Sequence, residues 1–211
     1  MVAREQTAGR GRRGRSFLSE RDRGVYLSVL LRPEAEASDC AGITAFAAVA
    51  VCDAVENVCG VRADIKWVND LLINGKKICG ILTELCADAD GAAGIVVGVG
   101  INVKGRDFPP ELRDVATSIS NECGRPIERS RFCAELINEM NALYPQLESG
   151  AFMAENRARS NVIGREIYVL RGDERYPATA VDIDDGGSLV IRTPEGETRT
   201  LRSGEISVRF R

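Results

Sequence analysis

The apolar residues in the first three quarters of the chain follow both strand and helix patterns. Residues 25–31 form a short aliphatic run that predicts a buried strand, and residues 63–68 and 94–103 have the same character. Residues 41–59 form a long Ala/Val pattern that predicts a buried helix capped by Ser38 or Asp39. A helical apolar period over residues 129–147 predicts a second helix that packs across the sheet. Its apolar side is expected to carry Phe132, Leu136, Ile137, Met140, Leu143 and Tyr144.

The pattern changes beyond Ser160 to short alternating runs separated by turn residues. Five short strands with tight turns in about fifty residues predict a small barrel. The fold class is therefore expected to be α+β, with a mixed sheet covered by helices over residues 1–160 and a small β domain over residues 161–211. The predicted strands of that second domain are residues 166–170, 177–183, 188–193, 198–201 and 206–210.

Composition and charge narrow the possible functions. The 211 residues are 44% hydrophobic with a net charge of −3, which argues against a general nucleic-acid-binding domain because such domains are usually basic. The chain has no histidine, so a Ser-His-Asp triad is excluded and a zinc site is disfavoured. Its seven cysteines form no C-x-x-C pair. They are expected to be reduced and buried, as in a cytoplasmic protein. No export signal and no uninterrupted membrane-spanning apolar segment are predicted.

A glycine-spaced arginine run, residues 10–15, preceded by residues 6–9, is the most informative local feature. Arginine supplies fixed positive charge and planar donors, while glycine lets backbone amides approach an anion closely. Phosphate is the expected anion. A nucleic-acid patch and a solvated basic loop remain alternatives for this run taken alone.

A second informative segment is residues 66–84, where Asn74-Gly75 predicts a tight hairpin. Lys77 is expected on the return strand with its ammonium near the hairpin, and Gly80 would leave room beside it for an uncharged ligand. An exposed hairpin with solubilising lysines is the alternative. Gly98 and Gly100 interrupt the next predicted strand, which indicates either close approach of a ligand or a β-bulge.

Taken together, three motifs resemble the biotin protein ligases, which activate biotin with ATP and attach it to a lysine of a carrier domain. Q-x-x-G-R-G-R-x-G-R starts at Gln6, K-W-x-N-D starts at Lys66 and leads through a hairpin to K-x-x-G-I-L at Lys77, and G-x-G-I-N starts at Gly98. The resemblance extends from Met1 to about Ile206. It implies the biotin/lipoate ligase fold, which is related to class II synthetases, and an SH3-like C-terminal domain.

The resemblance also implies roles for individual residues. Biotin would be bound by Gln6, Gly9, Arg10, Lys77, Gly80, Ile81, Leu82, Gly98 and Gly100. ATP would be bound by Arg10, Gly11, Arg12, Lys66, Asn69, Asp70 and Asn102. The catalytic cations would be Lys77, Arg10 and Arg12, while Asp70 would orient Mg²⁺.

The residue types suit the chemistry that the resemblance implies. Attack of a carboxylate on the α-phosphate of ATP brings two anions together, so cations must lie where charge accumulates. Closure of the glycine-rich loop would protect the acyl-adenylate from water. The implied partner is a biotin carboxyl carrier protein, such as that of acetyl-CoA carboxylase, and a homodimer is a further possibility.

The sequence also departs from the family. Relatives carry a strand-helix segment with a Ser-Thr-Asn sequence before the arginine loop, and this segment is expected to be missing here. Either the start at Met1 is misplaced and a longer product exists, or the chain is a truncated paralogue with weaker biotin binding. No N-terminal helix-turn-helix is recognised, so a DNA-binding repressor role is not expected. Two alternatives stay open, a lipoate protein ligase and a noncatalytic binding module for biotin or nucleic acid.

Overall fold

The larger of two sheets contains six strands: β1 (Val2–Ala3), β2 (Gly24–Leu31), β3 (Asp64–Lys66), β4 (Asp70–Ile73), β5 (Lys76–Ala87) and β6 (Ala93–Asn102). Their order is β1-β2-β6-β5-β4-β3, and all neighbouring strands are antiparallel. Parallel pairing in the predicted mixed sheet is limited, among the described residues, to two isolated bridges, Ile65–Ser160 and Lys77–Ala116. In the computed structural model, residues 1–32, 40–87, 93–105, 107–202 and 206–210 are described, so the predicted caps Ser38 and Asp39 lie outside them.

Four helices accompany the sheet: α1 (Cys40–Cys59), α2 (Ile119–Cys123), α3 (Arg129–Leu143) and α4 (Met153–Ala158). Helix α1 contacts β5 and β6 on one side and α3 and α4 on the other. Its small side chains, including Ala47, Ala48 and Ala50, are fully buried and allow this close packing. Residues 41–59 are long and apolar enough to cross a membrane by length and composition alone, but their burial between sheet and helices assigns them to the core.

The hairpin between β4 and β5 turns at Asn74 and Gly75, as the sequence predicts. Both residues have positive φ, 51° and 76°, which is the conformation that an Asn-Gly type I′ turn requires. A register shift occurs within this hairpin, between Leu71 and Leu72. The ladders of β6 with β2 and β5 run through Gly98 and Gly100 with no such shift, so the bulge alternative for these glycines is wrong.

The smaller sheet contains five strands: β7 (Glu166–Arg171), β8 (Glu174–Ile183), β9 (Leu189–Arg192), β10 (Thr198–Leu201) and β11 (Ile206–Phe210). They are antiparallel in the order β10-β9-β8-β7-β11, which confirms the predicted C-terminal β domain. Alternate residues such as Ile167 and Val169 are fully buried, which gives the sheet one apolar face.

Some predicted boundaries were too generous. Helix α3 ends at Leu143, and a short 3₁₀ turn containing Pro145 follows, because proline cannot continue the α-helical hydrogen bonding. Phe132, Leu136 and Met140 are buried as predicted, but Ile137 and Tyr144 are exposed. Strand β3 covers three residues of the predicted six.

The cysteines are free thiols among the described side chains, which exclude Cys40. Cys52, Cys59, Cys79 and Cys133 are buried, as expected, whereas Cys86 is exposed at the far end of β5. The prediction of burial was therefore wrong for Cys86, and Cys123 is only half-buried.

Candidate active site

A cleft of about 250 Å³ lies on the face of the large sheet opposite α1. Its floor is formed by alternate residues of three adjacent strands, and the segment from Gln6 to Phe17 forms its roof and rim. On β5, Gly80, Leu82 and Glu84 face the cleft, whereas Thr83 points the other way and hydrogen-bonds Thr44 of α1. The floor is completed by Val96, Gly98 and Gly100 on β6 and by Ser28 on β2.

The floor glycines provide depth in different ways. A Cβ on Gly98 would meet only the Leu82 backbone and Cβ, at 3.5 and 4.0 Å, so the space above Gly98 is open to a ligand. A Cβ on Gly100 would lie 2.7 Å from the Phe17 ring, and one on Gly80 would lie 3.1 Å from Lys77 Nζ. The room expected beside Gly80 is therefore taken by Lys77 itself, with the Phe17 ring close by at 3.4 Å.

Lys77 lies at one end of the floor and its ammonium is 2.5 Å from Asp70 Oδ1. Its backbone is fixed on both sides by the loop before α2: Lys77 N donates to Val115 O at 2.8 Å, and Thr117 N donates to Lys77 O at 2.9 Å. The side chain is about one third exposed, so it is neither a free surface lysine nor a buried one. The sequence predicted this lysine beside the hairpin but gave no indication of the loop that supports it.

The arginine loop brings Arg12 to the same end of the cleft. Arg12 Nη1 lies 3.4 Å from Asn69 Oδ1, and the Asn69 amide in turn donates to Ile81 O at 2.9 Å. Burial lowers the pKa of Arg12, while the neighbouring Asp70 carboxylate opposes that shift. Arginine nevertheless stays charged at neutral pH, so a cation is held over the Asn69-Asp70 turn.

Arg10 extends toward the opposite end of the cleft. Its Nη2 is 2.7 Å from Glu84 Oε2, an ion pair with both side chains well exposed. Glu84 follows Gly80 by four residues along β5, or about 13 Å of antiparallel strand. The structure therefore brings Lys77, Arg12, Asn69 and Asp70 together and leaves Arg10 apart from them.

Most of the predicted residues line the cleft, but Gly9 and Asn102 do not. A Cβ on Gly9 would lie 2.3 Å from Phe17 O, so Gly9 allows the two arms of the arginine loop to pack closely. Asn102 is buried and donates from Nδ2 to Thr117 O at 3.1 Å, which supports the loop that holds Lys77. Direct contact of these two residues with a ligand stays a prediction. The predicted residues that do line the cleft are Gln6, Arg10, Gly11, Arg12, Lys66, Asn69, Asp70, Lys77, Gly80, Ile81, Leu82, Gly98 and Gly100.

Sequence reasoning missed Phe17, Glu84 and Trp67 as parts of this site. Phe17 is the aromatic residue just after the arginine run, and that position was a usable signal for a ring that covers the floor. Trp67 is buried and its Nε1 donates to Gly187 O at 3.0 Å. The turn after β3 is thereby attached to the loop between β8 and β9, a contact between residues 120 positions apart that no local pattern indicates.

The chemistry that this cleft can perform follows from its charges. A mostly apolar, glycine-lined floor ends in two cations and one carboxylate, which suits an elongated ligand whose anionic end meets a phosphate. Within the described residues no group of three His, Cys, Asp or Glu side chains is placed to hold a metal ion. Asp70 alone fits a magnesium ion that is bound mainly by substrate phosphates and water.

Comparison with known proteins agrees with this geometry. Residues 1–102 match the family model described as the biotin/lipoate A/B protein ligase family, and residues 162–209 match the biotin protein ligase C terminal domain. Over 99% of its length the chain is 38% identical to the bifunctional ligase/repressor BirA of Bacillus subtilis, but it spans only 65% of that protein. It is 34% identical over 93% of its length to the biotin--[acetyl-CoA-carboxylase] ligase of Paracoccus denitrificans, and covers 85% of it.

A solved structure provides an independent comparison. The biotin protein ligase of Aquifex aeolicus, in complex with biotin and ATP, superposes with a TM-score of 0.88 at 30% sequence identity. The match covers all of this chain and 88% of the other. The predicted fold class and the resemblance are both confirmed, and the chain belongs to the biotin protein ligase family.

Proposed function

We propose that this chain is an ATP-dependent biotin protein ligase that forms biotinyl-5′-AMP and transfers biotin to a lysine of a biotin carboxyl carrier protein. The observation that carries the proposal is the glycine-lined floor of β5 and β6 that ends at Lys77 and Arg12. The bicyclic ring of biotin would occupy the open space above Gly98, and its carboxylate would reach the cations at the end of the cleft.

The first step joins the two substrates. A carboxylate oxygen of biotin attacks the α-phosphorus of ATP, a P–O bond forms to the acyl group, and diphosphate leaves. Lys77 and Arg12 would neutralise charge on the carboxylate and the α-phosphate as it accumulates. Magnesium would arrive with ATP and supply further charge neutralisation, with Asp70 as its protein ligand once Lys77 turns to the substrate.

In the second step the neutral amine of the carrier lysine attacks the acyl carbon and AMP leaves. An amide bond forms, and the amine loses a proton to solvent. Arg10, Gly11 and the rest of the arginine loop would cover the adenylate and limit its hydrolysis. Arg10 would contact the biotin end of the ligand, because Glu84 holds it there.

The other members of the proposed site have supporting roles. Gln6 and Leu82 would contact biotin, with Ile81 contributing backbone because its side chain is buried in the core, and Lys66 and Asn69 would contact the nucleotide. We place the reaction in the cytoplasm, where the carboxylase carriers and free thiols are expected. A homodimer is compatible with the proposal but is not required by it.

Incubation of the purified chain with labelled biotin, MgATP and a carrier domain tests the proposal. Label should appear on a single carrier lysine, with AMP and diphosphate as products, and omission of ATP should abolish it. Incorporation of lipoate in preference to biotin would instead favour a lipoate protein ligase. Biotin binding without adenylate formation would favour a noncatalytic binding module.

A further inference from the structure

The ring of Phe210 on β11 lies against cations from two parts of the molecule. Lys66 Nζ is 5.1 Å from the ring centroid, and Arg165 Cζ is also 5.1 Å from it. Lys66 ends β3 and lines the cleft, whereas Phe210 and Arg165 belong to the small sheet and its approach. A cation within about 6 Å of an aromatic face is attracted by the ring quadrupole.

The residues on both sides of Lys66 are held by hydrogen bonds to distant parts of the chain. Ile65 N donates to Arg159 O at 2.8 Å, and Asn161 N donates to Ile65 O at 3.0 Å. On the other side, Trp67 Nε1 donates to Gly187 O. The rotamers of the Lys66 side chain carry considerable entropy and are restricted by contacts of the side chain itself, of which the Phe210 ring is one.

Phe210 combines partial burial with contact to a cation. The side chain is 37% exposed, so part of the ring stays in water while the rest packs against the protein. Its face meets the ammonium of a residue that lines the cleft. The cation contact therefore adds to the stabilisation that burial gives the ring in this place.

We propose that Phe210 is a positioning residue that holds the Lys66 ammonium at the nucleotide end of the cleft. The inference rests on the proposed function, in which Lys66 contacts ATP. Ordering the ammonium before ATP arrives reduces the entropy lost on binding. The contact would therefore strengthen binding of ATP in the ground state and leave the chemical step largely unaltered.

Replacement of the ring tests this role. Phe210→Leu keeps apolar bulk but removes the aromatic face, and it should raise both KM and Kd for ATP by about three- to fivefold, as loss of a partly exposed cation–π contact does. The kcat for adenylate formation should stay within about twofold of wild type. Phe210→Tyr keeps the face and should restore both constants to within about twofold of wild type.

Two further measurements separate positioning from general damage to the sheet. Tyr168→Leu removes a ring that lies 3.9 Å from Arg175 Cζ in the same sheet but outside the cleft, and its KM for ATP should be unchanged. In a double-mutant cycle with Lys66→Met, the effect of Phe210→Leu on ATP affinity should largely disappear. Phe210→Met serves the same comparisons if the leucine variant does not fold.

Several outcomes would overturn the inference. These are unchanged ATP affinity in the leucine and methionine variants, fully additive effects in the cycle, or an equal loss in Tyr168→Leu. ATP binding is measured by calorimetry as well as by turnover. A wild-type chain that binds ATP but transfers no biotin would contradict the proposed function while leaving the Phe210 measurement informative.

Discussion

Lys77 owes its place in the cleft to contacts on three sides. Residues 115–117 of the loop before α2 hydrogen-bond its backbone, Asp70 pairs with its ammonium, and Gly80 leaves space for its side chain. None of these contacts buries apolar surface to any extent. The lysine is therefore expected to matter for chemistry much more than for folding.

Lys77→Ala should lower the rate of biotinyl-AMP formation by about a hundredfold or more, because a preorganised cation is lost where negative charge develops. Thermal unfolding should change little. Lys76→Ala is the matched control, since Lys76 is the neighbouring residue, donates to Arg113 O at 3.3 Å and does not line the cleft. A loss below tenfold in Lys77→Ala, measured by diphosphate release, would assign Lys77 to the hairpin surface alone.

The open space above Gly98 can be tested by adding a single methyl group. An added Cβ would meet the protein only at ordinary van der Waals distances, so the free energy of unfolding of Gly98→Ala should lie within about 1 kcal/mol of the wild-type value. The methyl group would instead occupy the open space in which biotin is proposed to lie. We expect KM for biotin to rise at least tenfold with KM for ATP nearly constant. Equal KM values for biotin in the variant and wild type would place the ligand elsewhere.

Sequence reasoning identified these residues by type and spacing but not their partners. Lys77, Asp70 and Arg12 belong to recognisable motifs, so their proximity followed from the hairpin and the loop. The pairing of Arg10 with Glu84 joins residues 74 positions apart, and the support of Lys77 by residues 115–117 joins distant segments. Contacts of this kind depend on tertiary packing, which no local spacing encodes.

Among the secondary-structure elements, the hairpin between β4 and β5 is the one whose conformation depends most directly on its local sequence. Gly75 has φ of 76°, and no atom lies within 4 Å of the position that a methyl group would occupy there, so only backbone conformation requires glycine. Gly75→Ala should reduce the free energy of unfolding by about 1 kcal/mol, as a side chain in the left-handed region does. Denaturant unfolding measures this directly.

The control for this prediction is Gly42→Ala in α1. Gly42 is helical, and an added Cβ would meet only Gly186 O at 3.8 Å, so alanine should be neutral or stabilising by up to about 1 kcal/mol. If both variants lose stability equally, the positive φ at Gly75 is not the cause.

Element boundaries were predicted best where one physical signal dominates. The long alanine-rich pattern of α1 and the Asn-Gly turn were recognised, because periodicity and turn chemistry act locally. Strand β3 was overestimated because apolar residues 67 and 68 are buried by the small sheet and by the core without belonging to a ladder. Ile137 was expected in the core, but the buried face of α3 is narrower than its apolar residues suggest.

In the molecule as a whole, Asp22 links the N-terminal residues around Arg4 to α3 through ion pairs. Its carboxylate accepts from Arg4 Nε at 2.9 Å and from Arg129 Nη1 at 2.8 Å. The pKa of Asp22 is lowered to about 2, mainly by the hydrogen bond from Arg4 and by its positive charge. The folded state therefore favours the ionised carboxylate.

This pKa shift predicts an acid-sensitive contribution to stability. Because the folded pKa lies below the ordinary value of 3.8, the contribution is fully present above that value and is lost as the pH falls toward about 2. Asp22→Asn should be less stable than wild type at about pH 6, and the difference should shrink progressively below about pH 4. Urea unfolding at several pH values, at low and high salt, measures it. A difference independent of pH would show that the hydrogen-bond geometry, and not the charge, is responsible.

The exposed thiol of Cys86 makes this chain suitable for site-directed labelling without mutation. Burial raises the pKa of Cys52 to about 12 and that of Cys59 to about 11, so both are poor nucleophiles, and Cys79 is fully buried. Among the described cysteines, Cys86 should therefore react first with a maleimide dye, as peptide mass mapping can verify. Cys86 is two residues from Glu84 on β5, so the dye would lie beside the ion pair between Glu84 and Arg10. A change in its fluorescence would therefore report the dissociation of the arginine loop from β5.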